Sequence, residues 1–295
     1  TSLTFDDFKF SLSSSLGLPR FFFPNNGING IGGFAGGFGS GGIGTGGTGG
    51  SGGSGGGKGP ETIFKPEYLP GATETRTYII GSPHQLPVVS LTFDHDDFFH
   101  PVTGMYVLGE GYSGDIPYFG SNIWEEWERP VNFEFYETDG TLGISIPMGA
   151  KIFGGWSRAN AQRSLSLFAR SGYGKSSLDY TLFKNVDYSS FQAVVLRNSG
   201  NDWLNTQIRD AVMTSLMHGA NLEYQDFRPV VTYFNGEYWG FYNIREKINE
   251  HFLASKAGVD PEEIDLLEFG GDVVQGSNLE YLDLLLSIGL LFLGN

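Results

Sequence analysis

The chain has 295 residues, a formal net charge of −15 at pH 7 and no cysteine. The negative charge argues against a nucleic-acid or anionic-membrane partner, because the summed field of the protein would repel both. The absence of cysteine excludes a disulfide framework, a thiolate metal site and a cysteine nucleophile. The chain is long and apolar enough to bury a hydrophobic core.

The first sixty residues divide into two compositionally distinct segments. Residues 1–26 are rich in phenylalanine and predict either one or two strands or a sticky segment that needs a partner. They lack the basic start and continuous apolar stretch of a signal peptide. Residues 27–60 hold 20 of the 45 glycines, and such a composition cannot bury enough apolar surface to offset its backbone entropy. We therefore expect a flexible linker, with an ordered glycine-rich layer built on Phe34 and Phe38 as the alternative.

Residues 61–284 predict one α+β domain. Its first strands are expected at Thr75–Ile80 and Leu86–Phe93, where apolar and β-branched residues cluster. The segment Asp94–Asp97, followed by His100, offers carboxylates and imidazoles that suit a divalent cation. Its spacing fits no EF-hand loop, so the alternative is a polar strand end with an aspartate cap.

The next segment predicts a loop, a short helix and a strand pair. Gly104–Gly120 is rich in glycine and tyrosine and reads as a loop. Trp124 and Trp127 predict a short helix with its indoles packed inward. Arg129–Tyr136 alternates as a strand, and the chain returns antiparallel from Leu142.

The segment from Ile146 to Glu250 predicts the remaining sheet. Ile146–Phe153 is an apolar strand that ends at a glycine pair, and Gln162–Phe168 alternates as the next strand. Gln192–Arg197 is a short strand rich in valine. The glycine pair therefore lies in a turn between two strands.

A helix, a hairpin and a second helix follow. Asn205–His218 carries apolar residues at helical spacing, with Asp202 or Asn205 as its cap. The strands Arg228–Phe234 and Tyr238–Ile244 flank Asn-Gly, the strongest short hairpin signal. A second amphipathic helix is expected over Arg245–Leu253.

Several long motifs, in order, resemble the CotH kinase family of spore-coat and bacterial surface proteins, which have an atypical protein-kinase fold. The resemblance extends from about Leu86 to Leu284. Its motifs are ERPVNFEFYETDG, GGWSRANAQRSLSLFARSGYG, VVLRNSGNDW, IRDAVM, RPVVTYFNGEYWGFYNIREKINEHFL and GVDPEEIDLLE. The resemblance implies a protein-kinase-like small lobe, an antiparallel sheet with packed helices.

The resemblance also implies a nucleotide site. Arg163 falls in Gln-Arg-Ser where the family usually has Gln-Lys-Ser, the third-strand position that holds nucleotide phosphates. Arginine keeps the charge but is a planar fork in place of a compact ammonium, so the exchange changes the phosphate geometry. Asp210 on the following helix is implied as the acidic partner of Arg163, and a solvated surface pair with Arg209 is the alternative.

Three further residues complete the implied site. Glu246 resembles the family's acid between the two lobes, where adenine or ribose would lie; the alternative is a glutamate in the first turn of a helix, favoured by the helix dipole. Ser157 and Arg158, with the glycine pair before them, would approach phosphates through backbone amides and a guanidinium. The cofactors implied are ATP with Mg²⁺ or Mn²⁺.

The family's large-lobe carboxylates, a catalytic-loop aspartate and a later metal-binding motif, are not found in this sequence. Catalytic residues and metal ligands therefore stay unassigned. The apolar tail, residues 285–295, is too short to span a bilayer and predicts contact with a missing lobe or with another copy.

Two functions remain open at this point. The first is an extracellular or cell-surface kinase domain that phosphorylates a protein on serine or threonine. The second is a non-catalytic structural module of a coat or surface layer, which self-associates through its phenylalanine-rich start and apolar end.

Overall fold

The computed structural model describes residues 75–80, 84–220 and 222–288. The phenylalanine-rich segment, the glycine-rich linker and residues 289–295 of the apolar tail lie outside the described residues. All described residues belong to one compact unit, Pro70–Asn295. The predictions for the two N-terminal segments stay predictions.

Eleven strands are found in the described residues. They are β1 (Val88–Thr92), β2 (Arg129–Tyr136), β3 (Leu142–Phe153), β4 (Ser164–Phe168), β5 (Leu178–Asp179), β6 (Ser190–Phe191), β7 (Ala193–Arg197), β8 (Phe227–Phe234), β9 (Glu237–Glu246), β10 (Leu266–Glu268) and β11 (Asp272–Gln275). Seven of them close into a barrel in the order β1-β2-β3-β4-β7-β9-β8. Neighbouring strands are antiparallel except β1 and β8, which run parallel and close the barrel.

The helices are short. They are α1 (His95–Phe99), α2 (Arg209–Ser215), α3 (Glu250–Ala257) and α4 (Leu279–Ser287). Side chains of the preceding residues cap two of them: the Asp94 carboxylate accepts from the amide of Asp96, and Asn249 accepts from the amide of Phe252. In the described part of the chain, no helix is long and apolar enough to cross a membrane.

The barrel interior is a packed core. Alternate residues of each strand point inward and are buried, as expected for strands with a period of two. A barrel of this size has an interior just wide enough for side chains. The inward-facing residues include Phe133, Phe135, Met148, Leu165, Leu167, Val194, Leu196, Tyr242 and Ile244. A ligand must therefore bind at an end or on the outer face of the barrel.

The predicted α+β class is confirmed, as are the main strands and the hairpin. Asn235 and Gly236 connect β8 to β9 with positive φ at both residues, 48° and 82°. Two consecutive residues with positive φ are what the tightest hairpin turn requires, and Asn-Gly adopts them at little cost. The loop predicted over Gly104–Gly120 is also present, without a helix or strand.

The strand predicted at Thr75–Ile80 is wrong. The segment lies across β2, where the amide of Thr77 donates to Glu134 Oε2 over 2.9 Å and the Tyr136 hydroxyl donates to the Thr77 carbonyl over 2.8 Å. These side chains take the hydrogen bonds that a sheet neighbour would otherwise supply. The short helix predicted around Trp124 and Trp127 is a three-residue 3₁₀ turn that ends at Trp124.

The two helices predicted over Asn205–His218 and Arg245–Leu253 both begin later than predicted. The first begins at Arg209, after a 3₁₀ turn at Gly200–Asp202 and a residue with positive φ, Gln207. The second begins at Glu250, because Asn249 caps it and because Arg245 and Glu246 continue β9. Glu246 is therefore the last residue of a strand, and the interpretation as a helix-dipole glutamate is wrong.

Candidate functional site

Three of the five predicted site residues lie on the connection between β3 and β4. This connection leaves β3 at Gly154, whose φ of +107° favours glycine. A Cβ atom added there would lie 2.7 Å from the Ser157 hydroxyl oxygen. A 3₁₀ turn over Trp156–Ala159 follows and carries Ser157 and Arg158, and Arg163 directly precedes β4. The connection brings all three to the same end of the barrel.

Arg163 is a buried cation without an acidic partner among the described residues. Arg163 is only 8% exposed. Its Nη1 donates to the Ala161 carbonyl over 3.3 Å, whereas its buried Nε has no hydrogen-bond partner among the described residues. The guanidinium carbon lies 4.9 Å from the centre of the Tyr106 ring. Burial lowers the pKa of Arg163, and Tyr106 and Tyr242 oppose that shift.

Arg158 is held by its own turn. Its Nε donates to the Gly154 carbonyl, and its Nη1 donates to the Ile123 carbonyl over 3.1 Å. The guanidinium lies over the Trp124 ring, at 5.1 Å, and 3.8 Å from a Glu126 oxygen. Burial lowers the pKa of Arg158, while Glu126 opposes the shift. Arg158 therefore fixes the shape of the connection and has less capacity left for a ligand than Arg163.

The predicted pairing of Arg163 with Asp210 is not formed. One oxygen of Asp210, Oδ2, accepts from Arg197 Nε and from Arg245 Nη1, each over 2.5 Å. Arg245 also donates to the Thr214 hydroxyl over 3.1 Å. The carboxylate of α2 thus joins two outward-facing arginines, one from β7 and one from β9.

Strand alternation explains why the prediction failed. Arg163 has the same parity as Leu165 and Leu167, which point into the barrel. Arg197 and Arg245 each follow an inward-facing residue by one position, so they face outward, where α2 lies. Side chains on opposite faces of a sheet cannot converge on one carboxylate. The alternation of the two leucines was visible in the sequence and carried this information.

Glu246 is a buried acid whose oxygens already accept hydrogen bonds. It is 2% exposed; Oε1 accepts from the Tyr188 hydroxyl, and Oε2 accepts from the Asp226 amide over 2.7 Å. Lys256 Nζ on α3 lies 3.7 Å from Oε2. Burial raises the pKa of Glu246, and the bonds from Tyr188 and Asp226 and the charge of Lys256 oppose the shift. Burial and Glu246 together also raise the pKa of Tyr188.

Glu246→Gln is expected to change the pH dependence of stability. Because the folded-state pKa of Glu246 is raised, its favourable contribution is complete below the unfolded pKa and is lost as the pH rises through the folded value. The glutamine variant should therefore gain stability relative to the wild type between about pH 4 and about pH 7. Urea unfolding at both pH values measures this, with Glu262→Gln on an exposed turn as the control. A difference that shrinks as the pH rises would contradict the expectation.

A cleft of about 920 Å³ lies apart from the predicted residues. Its walls are the segment after β4, with Arg170 and Tyr173, and the side chains of Gln192, His251 and Ser255. None of the five predicted site residues lines it. Arg170 is engaged there by Glu128, which accepts from its Nε over 2.8 Å. The guanidinium in this cleft is therefore already paired with a carboxylate.

The described residues contain no group of three or more metal-ligating side chains. The divalent-cation interpretation of Asp94–Asp97 is therefore not supported, whereas the alternative of an aspartate cap is confirmed. Sequence reasoning missed Tyr106, Arg197 and Arg245. Nothing in the sequence indicated that Tyr106 contacts Arg163, because the two residues are distant in the chain and Tyr106 lies in a segment with the composition of an ordinary loop.

A comparison with protein families finds a match over part of the chain. Residues 150–283 match the family described as CotH kinase protein. No curated protein matches the chain by sequence. The matched segment runs from β3 into α4 and contains Ser157, Arg158, Arg163, Asp210 and Glu246. Tyr106 precedes it.

Proposed function

Because residues 150–283 are a CotH kinase family domain, we propose that the chain binds ATP at the barrel end that carries Arg163. There it transfers the γ-phosphoryl group to serine or threonine hydroxyls of a protein. The proposed setting is the cell surface or the extracellular space. The observation that carries the proposal is the guanidinium of Arg163, a buried charge without a carboxylate partner in the described part of the chain.

A phosphate group is the ligand that this cation suits. Burial of an unpaired charge costs free energy, and an anion that binds it recovers part of that cost. A guanidinium can donate two parallel hydrogen bonds to phosphate oxygens, and such charge-assisted bonds are stronger than neutral ones. Nε of Arg163 is a donor still without an acceptor.

The threading of the chain supports a protein-kinase-like small lobe. From Arg129 it runs through β2, β3 and β4, then the short strands β5 and β6 and strand β7, then α2, then β8 and β9, then α3. Protein kinases carry the phosphate-binding cation on the third strand and its acid on the following helix. Here β7 is inserted between β4 and β9, and the α2 acid bonds to β7 and β9. In this respect the chain departs from the protein-kinase pattern, in which the cation and the acid pair.

The five predicted residues differ in how well they fit ATP. Arg163 fits the phosphates, and Ser157 and the backbone amides of the glycine turn lie on the same β3–β4 connection. Glu246 fits the ribose less well, because both of its oxygens already accept hydrogen bonds within the protein. The described residues provide no cluster of metal ligands. ATP supplies the phosphoryl group, and the role assigned to this chain is to bind and orient it.

The test is incubation of the full chain with γ-labelled ATP and Mn²⁺ or Mg²⁺, together with calorimetric titration of ATP. We expect binding and self-labelling in the wild type and loss of both in Arg163→Ala. Arg170→Ala is the matched control, because it removes a guanidinium beyond the other end of β4. Equal binding in wild type and Arg163→Ala, or no binding in either, would contradict the proposal.

A second function is favoured by a different observation. Large apolar side chains of the C-terminal part are exposed, with Phe269 at 94% and Leu279 at 69%. An apolar surface of this kind is typical of an interaction site, so a non-catalytic assembly module is the alternative. Sedimentation velocity tests it: self-association that weakens in Phe269→Asp supports the assembly module, and a monomer at every concentration contradicts it.

A further inference from the structure

We infer that Tyr106 gates the nucleotide site, because its ring holds the guanidinium of Arg163 in a buried position that a phosphate group cannot reach. This inference rests on the proposed nucleotide binding and adds a regulatory residue from outside the matched segment. The side chain of Arg163 must leave Tyr106 before it can bind a phosphate. Tyr106 thereby lowers the affinity of the site for nucleotide.

The contact itself is the first argument. The guanidinium carbon of Arg163 lies 4.9 Å from the ring centre of Tyr106, within the range of a cation–π interaction. Arg163 is 8% exposed and its Nε is inaccessible. A phosphate oxygen approaching from solvent cannot reach this donor while the guanidinium lies against the ring.

Tyr106 is the fixed partner in this contact. Its hydroxyl accepts from the Arg163 backbone amide over 2.7 Å and from Trp239 Nε1 over 3.0 Å. Its own amide donates to the Phe98 carbonyl over 2.9 Å. The chain just before it is also fixed, since a Cβ added at Gly104 would lie 2.5 Å from that carbonyl oxygen. The ring is therefore held by α1 and β9 and cannot swing away as a flexible lid would.

Arg163 is the movable partner. Within the described residues its side chain donates from Nη1 to the Ala161 carbonyl over 3.3 Å, and its other partner is Tyr106 itself. Its backbone is held separately, because the Arg163 carbonyl accepts from the Tyr242 hydroxyl over 2.8 Å. The long side chain can therefore change rotamer without moving β4. Phosphate binding needs only this rotation.

The strength of the contact between Tyr106 and Arg163 sets how much the ring should lower the affinity for phosphate. Stacking alone leaves the in-plane N–H donors of a guanidinium free, so phosphate is excluded because the stacked rotamer is buried with its Nε inaccessible. The apparent affinity falls by the fraction of molecules in the exposed, competent rotamer. A desolvated cation–π contact is strong enough to lower that fraction about tenfold. Removal of the ring should therefore tighten phosphate binding by about tenfold.

The experiment measures ATP and inorganic pyrophosphate binding to the full chain by calorimetry. Tyr106→Leu removes the ring and is expected to bind both about tenfold more tightly than the wild type. Tyr106→Phe keeps the ring but loses the hydroxyl that accepts from Arg163 and Trp239, so its affinity should lie between those of the wild type and Tyr106→Leu. Phe99→Leu is the matched control, because Phe99 contacts the Tyr106 ring at 5.7 Å and is not in cation–π contact with Arg163. Arg163→Ala should abolish binding in every background.

Thermal unfolding establishes that each variant is folded, and Tyr106→Met replaces Tyr106→Leu if the leucine variant is not. Unchanged or weaker binding in the ring-deleted variant, with binding still lost in Arg163→Ala, overturns the gating and leaves the proposed function standing. Equal tightening in Phe99→Leu also overturns the gating, since the effect would then come from loosened packing. No binding in any variant overturns the proposed function itself.

Discussion

Asp210→Ala is expected to lower the free energy of unfolding by about 2–3 kcal/mol. The carboxylate neutralises two guanidinium groups at once, and the side chain of Arg245 is only 3% exposed. Removal of one partner of a buried pair leaves an uncompensated charge, which is more costly than the loss of the pair itself. Asp210 is itself 35% exposed, so the expected loss lies below that of a fully buried pair.

Chemical denaturation of wild type and variant measures this difference. Asp283→Ala is the matched control, because it removes an exposed carboxylate from a helix, α4, without an ion pair in the described residues; it should change stability by less than about 0.5 kcal/mol. In an Arg245→Met background, Asp210→Ala should cost clearly less, because the buried cation is already gone. Equal losses in both backgrounds would show that α2 packing, and not the charge, accounts for the effect.

Arg163→Met is expected to have two opposite effects. Nucleotide binding should be lost, because the phosphate-binding charge is removed. The free energy of unfolding should rise by about 1–3 kcal/mol, because a long apolar side chain fills a similar volume without burying an unpaired cation. A residue kept at a cost in stability is typical of a functional site.

Calorimetric titration of ATP and chemical denaturation measure the two effects separately. Arg158→Met is the control, because the Arg158 guanidinium donates to two backbone carbonyl groups and lies near Glu126, so its loss should lower stability. A less stable Arg163→Met would show that the stacking on Tyr106 outweighs the cost of burial. Retained ATP binding would contradict the role assigned to Arg163.

The hairpin strands could be predicted from the sequence because their signals are local. Alternation in Arg129–Tyr136 and the Asn-Gly turn before β9 depend on neighbouring residues alone. The closure of the barrel could not be predicted. It depends on β1 pairing in parallel with β8, and neither strand has a sequence feature that identifies a partner so distant in the chain.

The candidate site was predictable to the same degree. The β3–β4 connection with Arg163 followed from the resemblance, and its placement at one end of the barrel follows from two adjacent strands. The predicted pairing of Asp210 with Arg163 was wrong, because the position of a helix in the sequence does not indicate which face of the sheet it covers. The contact of Tyr106 with Arg163 could not be predicted, because the partner of an aromatic residue in a loop depends on how the loop packs in the folded structure.

The parallel pairing of β1 with β8 can form only late in synthesis. Val88 and Val231 are neighbours in the sheet but lie about 140 residues apart in the chain. As the ribosome releases the polypeptide from its amino end, β1 emerges long before β8 exists, and one border of β1 has no hydrogen-bonding neighbour during that interval. The nascent molecule is therefore most open to pairing with other chains just before the β8–β9 hairpin emerges, and a chaperone that shields a single strand border would serve it best at that stage.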